Sequence, residues 1–243
     1  MKLTRVMLLG IVAALLSGCL YPQEERTRNQ VPYEDQLVAV GNAVNQYREN
    51  NSGLLPIATR EADTPLYRKY PIQFTQLVPM YMQEAPSNSF ENGGTFQYVL
   101  VDVEEEPQVK LIDLKTIRTI QEVESAIFQY RSQNDYAPVA EVIGTEILKL
   151  DYEALGFQEE PTVDSPFHPT HQLPLVLTTR GDVVIDYGLD IRFYVDEYGI
   201  GDFQEGDDLR DLLVEHAPFV PTYSLPQSIE NGEIIFLEEG EIG

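Results

Sequence analysis

The chain has no tryptophan and a single cysteine, Cys19, among 243 residues. One cysteine excludes an internal disulfide and a thiolate metal cluster. Basic residues are scarce, with 16 Lys and Arg set against 40 Asp and Glu for a formal net charge of −24. Such a surface repels phosphate backbones and anionic headgroups, so no nucleic-acid partner is predicted. It favours solubility and self-repulsion, or the attraction of cations or a basic partner. Also missing are a Gly-x-Ser-x-Gly elbow, a Gly-Lys-Ser/Thr phosphate loop, a His-Glu-x-x-His helix and a dinucleotide glycine fingerprint. No catalytic residue and no cofactor are predicted. Forty acids offer so many carboxylate pairs that none can be singled out for glycoside cleavage.

A long apolar run stands at the amino terminus, from Val6 to Leu16, behind Lys2 and Arg5 and ahead of small residues. This is the three-part layout of a secretory signal, too short to span a bilayer comfortably. Leu16-Ser17-Gly18-Cys19 resembles the lipobox of bacterial lipoproteins. The resemblance implies cleavage before Cys19, a diacylglyceryl group on its sulfur, and an extracytoplasmic protein anchored in the cell membrane by two acyl chains. The polar stretch from Tyr21 to Pro32, with two prolines, reads as a tether.

What the chain has in abundance is self-similarity. LVAVGNAVNQYRENN from Leu37 to Asn51 returns 83 residues later as IQEVESAIFQYRSQN from Ile120 to Asn134. Large apolar residues step by three and four in both, which predicts two amphipathic helices and an internal duplication. Tyr47 and Tyr130, at matched places, are expected to pack with their hydroxyls at the rim rather than to hold a ligand. After the first helix, TFQYVLVDV and QVKLIDL read as paired strands. After the second, Ile143 to Phe157 reads as a short strand and a helical turn. LPLVLT and DVVIDY then form a hairpin turning at Thr179-Arg180-Gly181.

The first unit, with QYRENN, LLPI, LVPMYM, a Pro-x-Asn-Ser-Phe turn, a Gly pair and a strand opening FQY, resembles the globular heads of type IV pilins and pseudopilins over roughly residues 36–114. The resemblance implies a helix packed on a small antiparallel sheet. Pilins keep a leader-peptidase site and an uninterrupted apolar half-helix, whereas this chain has a lipobox and a polar tether, so filament assembly is not expected.

The predicted class is therefore α+β, with two tandem helix-on-antiparallel-sheet modules and an acidic carboxyl-terminal extension. The boundaries are 1–18 for the signal peptide, 19–32 for the tether, 33–114 and 115–190 for the modules, and 191–243 for an extension packing on the second module. In that extension IRFYV reads as a strand, and DDLRDLLVEH as a helix capped by Asp207 or Asp208. EIIFL reads as a last strand. Phe219, Val220, Tyr223 and Leu225 suggest a strip that either covers a sheet edge or docks another protein.

Asp202, Glu205, Asp207 and Asp208 are the nearest approach to a metal site, but their order does not follow a calcium loop. A solvated acidic loop is the simpler reading. His168 and His171 flank Pro169 with no adjacent third ligand, and are read as an ordinary surface loop. The function expected is a non-catalytic envelope lipoprotein that binds or scaffolds another envelope component. A calcium-dependent module, a wall hydrolase using carboxylates, and a part in a pilus or secretion machine are the alternatives.

Overall fold

A computed structural model describes residues 33–58 and 60–237. The signal peptide, Cys19 and the tether lie outside the described residues. Within them the fold is α+β, with several small antiparallel sheets. No helix among the described residues is long and apolar enough to cross a membrane.

Helix α1, Tyr33–Asn50, opens with Glu34 and Asp35, where acids suit the helix dipole, and buries Val40, Ala43 and Val44. A short helix α2, Phe74–Leu77, follows. The strands β1, Phe96–Val101, and β2, Gln108–Asp113, then pair antiparallel as a two-stranded sheet against which α1 packs. Helix α3, Thr116–Asn134, buries Ile120, Val123 and Ile127 and packs on the second sheet. That sheet has five strands: β3, Val139–Val142; β4, Ile147–Leu150; β5, Thr162–Asp164; β6, Gln172–Thr178; and β7, Val183–Ile185. Strand β6 is its centre and pairs with β4, β5 and β7.

The two repeated helices end alike. Asn51 Nδ2 donates to Tyr47 O at 2.8 Å, and Asn134 Nδ2 donates to Tyr130 O at 3.0 Å. Each bond satisfies a carbonyl that the helix end would otherwise leave open. Tyr47 and Tyr130 are half-buried, and each meets a second tyrosine edge-on, Tyr81 and Tyr136.

Ile191–Val195, expected as a strand, lies instead in helix α4, Gly188–Tyr198. Its β-branched and aromatic residues favour a strand locally. The buried positions Asp190, Ile191 and Tyr194 are spaced for a helix, and burial of that one face decides the outcome. Helix α5, Arg210–His216, packs against α4, and the hairpin β8, Gln227–Glu230, with β9, Glu233–Phe236, closes the described chain. Strand β9 stands where EIIFL predicts one.

The main core runs from Val40 and Val44 through Leu111 to Val123, Leu175, Ile191 and Phe219, with two smaller buried clusters beside it, around Val220 and around Leu225. The two sheets are separate, and residues 218–226 form a strap between them. Leu111 N donates to Pro218 O at 2.9 Å and Val220 N to Leu111 O at 3.0 Å, which covers the open edge of β2. Three residues on, Tyr223 O accepts Ile185 N at 2.6 Å, which covers part of the open edge of β7. The strap therefore packs on both sheets, not on the second alone. Unpaired strand edges leave backbone polar groups without partners, and this segment supplies them.

That arrangement also corrects the docking expectation. Val220 is 2% exposed and Phe219 and Leu225 are 7% exposed, so these side chains are interior to the protein. The Phe219 ring lies 5.5 Å from Tyr33, 5.6 Å from Phe96 and 6.5 Å from Phe167, with α1, β1 and the loop after β5 on its three sides. Apolar residues next to prolines look alike in sequence whether they face a partner or their own core.

Candidate functional site

Where the strap crosses between the sheets it leaves a cleft of about 640 Å³. Its walls are the turn Leu66–Arg68, β7 with the turn before it, strap residues Pro221 to Pro226, the start of α5, and Glu124 of α3. Pro65 fixes the entry to the turn, with φ −52. Leu66 is left exposed at the rim and Tyr67 is buried.

The floor is an interlocked set of polar groups. Arg210 donates through Nε to Asp208 Oδ1 at 3.0 Å and Oδ2 at 2.9 Å, and through Nη2 to Oδ2 at 2.6 Å. Its Nη1 reaches Ser224 O at 3.0 Å and Ser224 Oγ at 3.1 Å. The planar fork of a guanidinium suits this simultaneous grip on a carboxylate and the strap. Arg210 also lies 5.3 Å from the Tyr67 ring centre, and the Tyr67 hydroxyl donates to Asp211 Oδ1 at 2.5 Å. Burial, then the Asp211 charge, pushes the Tyr67 phenol well above its usual range. Burial likewise raises Asp211, against the lowering effect of the Tyr67 hydrogen bond. Tyr67 and Asp211 are shared with a smaller hollow of about 250 Å³.

The strap wall is held by Gln227, which is buried. Its side chain accepts from Tyr187 N at 3.1 Å and donates to Asp186 Oδ1 at 2.7 Å, while its own N–H donates to Asp208 Oδ1 at 3.3 Å. Tyr223 takes a left-handed backbone, φ +54, an uncommon conformation for a bulky side chain. That turn lets its carbonyl reach Ile185 while its ring faces the Arg68 guanidinium, 4.6 Å from the ring centre.

The rim is acidic. Asp63, Glu124 and Asp182 are exposed, and Arg180, which has an interaction of its own, lines the same cleft. The floor acids are engaged by Arg210 and Tyr67, so the exposed acids at this cleft are those of the rim. Such a surface suits recognition.

The acidic loop places its candidate ligands differently. Asp208 is taken by Arg210, and Asp207 Oδ2 accepts the Gln204 N–H of its own loop at 2.8 Å. Asp202 and Glu205 are exposed. Among the described residues no group of three or more His, Cys, Asp or Glu side chains is arranged to hold a metal. Neither Asp207 nor Asp208 caps α5 as expected: the cap position is Leu209, which makes no side-chain bond, and Asp208, one residue earlier, accepts Arg210 N at 3.1 Å.

The two histidines form a more definite structure than a surface loop. Their rings stack at 3.7 Å, and His171 Nδ1 lies 2.6 Å from Oδ1 of Asp190, a fully buried acid. Ser165 Oγ donates to Asp190 Oδ2 at 2.6 Å and accepts the N–H groups of Phe167 and His168. Burial raises the Asp190 carboxyl, and the bonds from Ser165 and His171 oppose that rise. The Ser165 proton goes to Asp190 rather than to an imidazole, so this is no nucleophile and base pair. It pins residues 165–171 to α4. The one sequence signal for it was the spacing of Asp190 within a helical face, hidden by the strand-like IRFYV.

Residues 33–113 match the model of the YphF family N-terminal domain. The matched span runs from the start of α1 to the end of β2. No curated protein and no solved structure matches the chain.

Proposed function

We propose that this protein is a non-catalytic bacterial envelope lipoprotein, anchored in the cell membrane by a diacylglyceryl group on Cys19, whose folded body binds or scaffolds another envelope protein. The lipobox Leu16-Ser17-Gly18-Cys19 supports the anchor. The observation that carries the binding reading is the cleft at the strap: its floor groups are bonded to one another, its rim acids are exposed, and the outward backbone groups of Val183 in its wall have no partner among the described residues. Held polar groups preorganise a recognition surface.

The body reads as a duplicated unit of pilin-head type, followed by an acidic extension. Matched buried stripes in α1 and α3, and the matched bonds Asn51 to Tyr47 and Asn134 to Tyr130, support duplication. The strap ties the two copies into one body, which suits a scaffold.

Two measurements test this. Cys19→Ser in the full chain moves it from the membrane to the soluble fraction; membrane retention of the variant sinks the anchor. A photo-crosslinking residue at exposed Leu66 or Val142 in intact cells traps another envelope protein. No adduct at any exposed position sinks the binding role.

A further inference from the structure

We propose that the cleft receives an extended, basic peptide segment of a partner protein, which pairs with the free half of the β7 edge. This rests on the binding role above and names its site and its ligand class.

The edge follows from register. Thr178 N donates to Asp182 O at 2.8 Å and Asp186 N to Pro174 O at 3.0 Å, so residues 182 and 186 bond towards β6. In an antiparallel pair the bonding direction alternates, so Val183 and Ile185 turn their N–H and C=O away from β6. Ile185 N does so and meets Tyr223 O at 2.6 Å. Val183 faces the same way, lines the cleft, and among the described residues its N–H and C=O have no partner beyond the sheet. The strap covers half of this short edge and leaves Val183, which is only 3% exposed and is reached from the cleft, with its outward backbone groups unpaired among the described residues, at the wall of a cavity large enough for a few residues of chain. An extended peptide is the ligand whose backbone completes such an edge.

Charge selects the peptide. Next to Val183 the rim carries Asp182, with Glu124 and Asp63 lining the same cleft, and all three are exposed. Three arginines share the lining and all are engaged: Arg68 is stacked on Tyr223, Arg210 is held by Asp208, and Arg180 has an interaction of its own. The net charge of −24 steers a basic segment inward and repels a second copy of this chain. Leu66, Val184 and Pro221 supply apolar wall for alternate side chains.

The test uses the full chain in detergent and three labelled hexapeptides read by fluorescence anisotropy: alternating Lys and Val, alternating Glu and Val, and the Lys peptide with alternate amides N-methylated. The Lys peptide binds at least about tenfold more tightly than either of the others. Asp182→Asn with Glu124→Gln weakens it by about three- to tenfold, with the fold unchanged by circular dichroism. Amide exchange at Val183 slows when the Lys peptide binds. Equal binding of Lys and Glu peptides, tighter binding of the Glu peptide, indifference to N-methylation, or unchanged exchange at Val183 each overturns the proposal. Adducts in cells at Val142 but none at Leu66 would remove this site and leave the binding role standing, whereas absence of adducts anywhere removes both.

Discussion

Leu111 and Val220, 109 positions apart in sequence, are joined by a 3.0 Å hydrogen bond from Val220 N to Leu111 O. Leu111 N in turn donates to Pro218 O, so the end of the chain behaves as a third strand for two residues. It then leaves for the second sheet. The cleft exists because the chain leaves there.

Phe219 is the packed centre of that crossing. Phe219→Ala removes the ring from between Tyr33, Phe96 and Phe167 and should destabilise the fold by about 3 to 5 kcal/mol. Urea unfolding of the full chain checks this. A loss below about 1 kcal/mol would mean that the crossing is not held by this ring.

Arg210 serves the strap and Asp208 together. Arg210→Met leaves Asp208 with no cation in a nearly closed site and should cost about 3 kcal/mol or more. Arg210→Lys keeps the charge but loses the fork, and should fall between wild type and the methionine variant. If the lysine variant matches wild type in its unfolding midpoint, the two-sided grip contributes nothing.

Asn51→Ala and Asn134→Ala each delete one helix-end bond, and Asn51→Ala also removes the bond from Nδ2 to the Tyr81 hydroxyl at 3.1 Å. Asn134→Ala should cost about 0.5 to 1.5 kcal/mol and Asn51→Ala somewhat more, and the double variant should lose the sum, since the two side chains share no hydrogen-bond partner. Unequal costs, one near zero and one large, would show that the matched bonds do unequal jobs.

Stability should rise on mild acidification. Asp113, Asp190 and Asp211 are all raised above their ordinary value of 3.8, in each case mainly by burial. Between 3.8 and its raised folded value, such a carboxyl binds more protons folded than unfolded. Its contribution is complete below 3.8 and is lost as pH rises through the folded value. Relief of repulsion in a chain of net charge −24 acts in the same direction. Urea midpoints should therefore be higher near about pH 5 than near about pH 7.5, and Asp211→Asn should flatten the trend. A lower midpoint at the acid value would contradict this sign.

Local elements were readable because their signals are local. The stripes of α1 and α3 recur at three and four, and the hairpins β1–β2 and β6–β7 alternate across a short turn, with Gly181 at φ +99 in the second. Ile191–Val195 was not readable, because its strand-like residues were overruled by α5, which packs on it from further along the chain. The histidine knot was hidden for the same reason, since Asp190 only meets His171 once α4 is a helix.

Composition, charge and repeat thus set the class of the protein, its two amphipathic helices and the acidic field around it, since these depend on neighbours within a few residues. Tertiary structure alone decided that Phe219, Val220 and Leu225 belong inside and that both sheets share one strap. It also decided that Val183, although buried, keeps outward backbone groups with no partner among the described residues. Those outcomes depend on which distant backbone groups find one another, and hydrogen bonds between segments a hundred residues apart leave no periodic trace in the order of side chains.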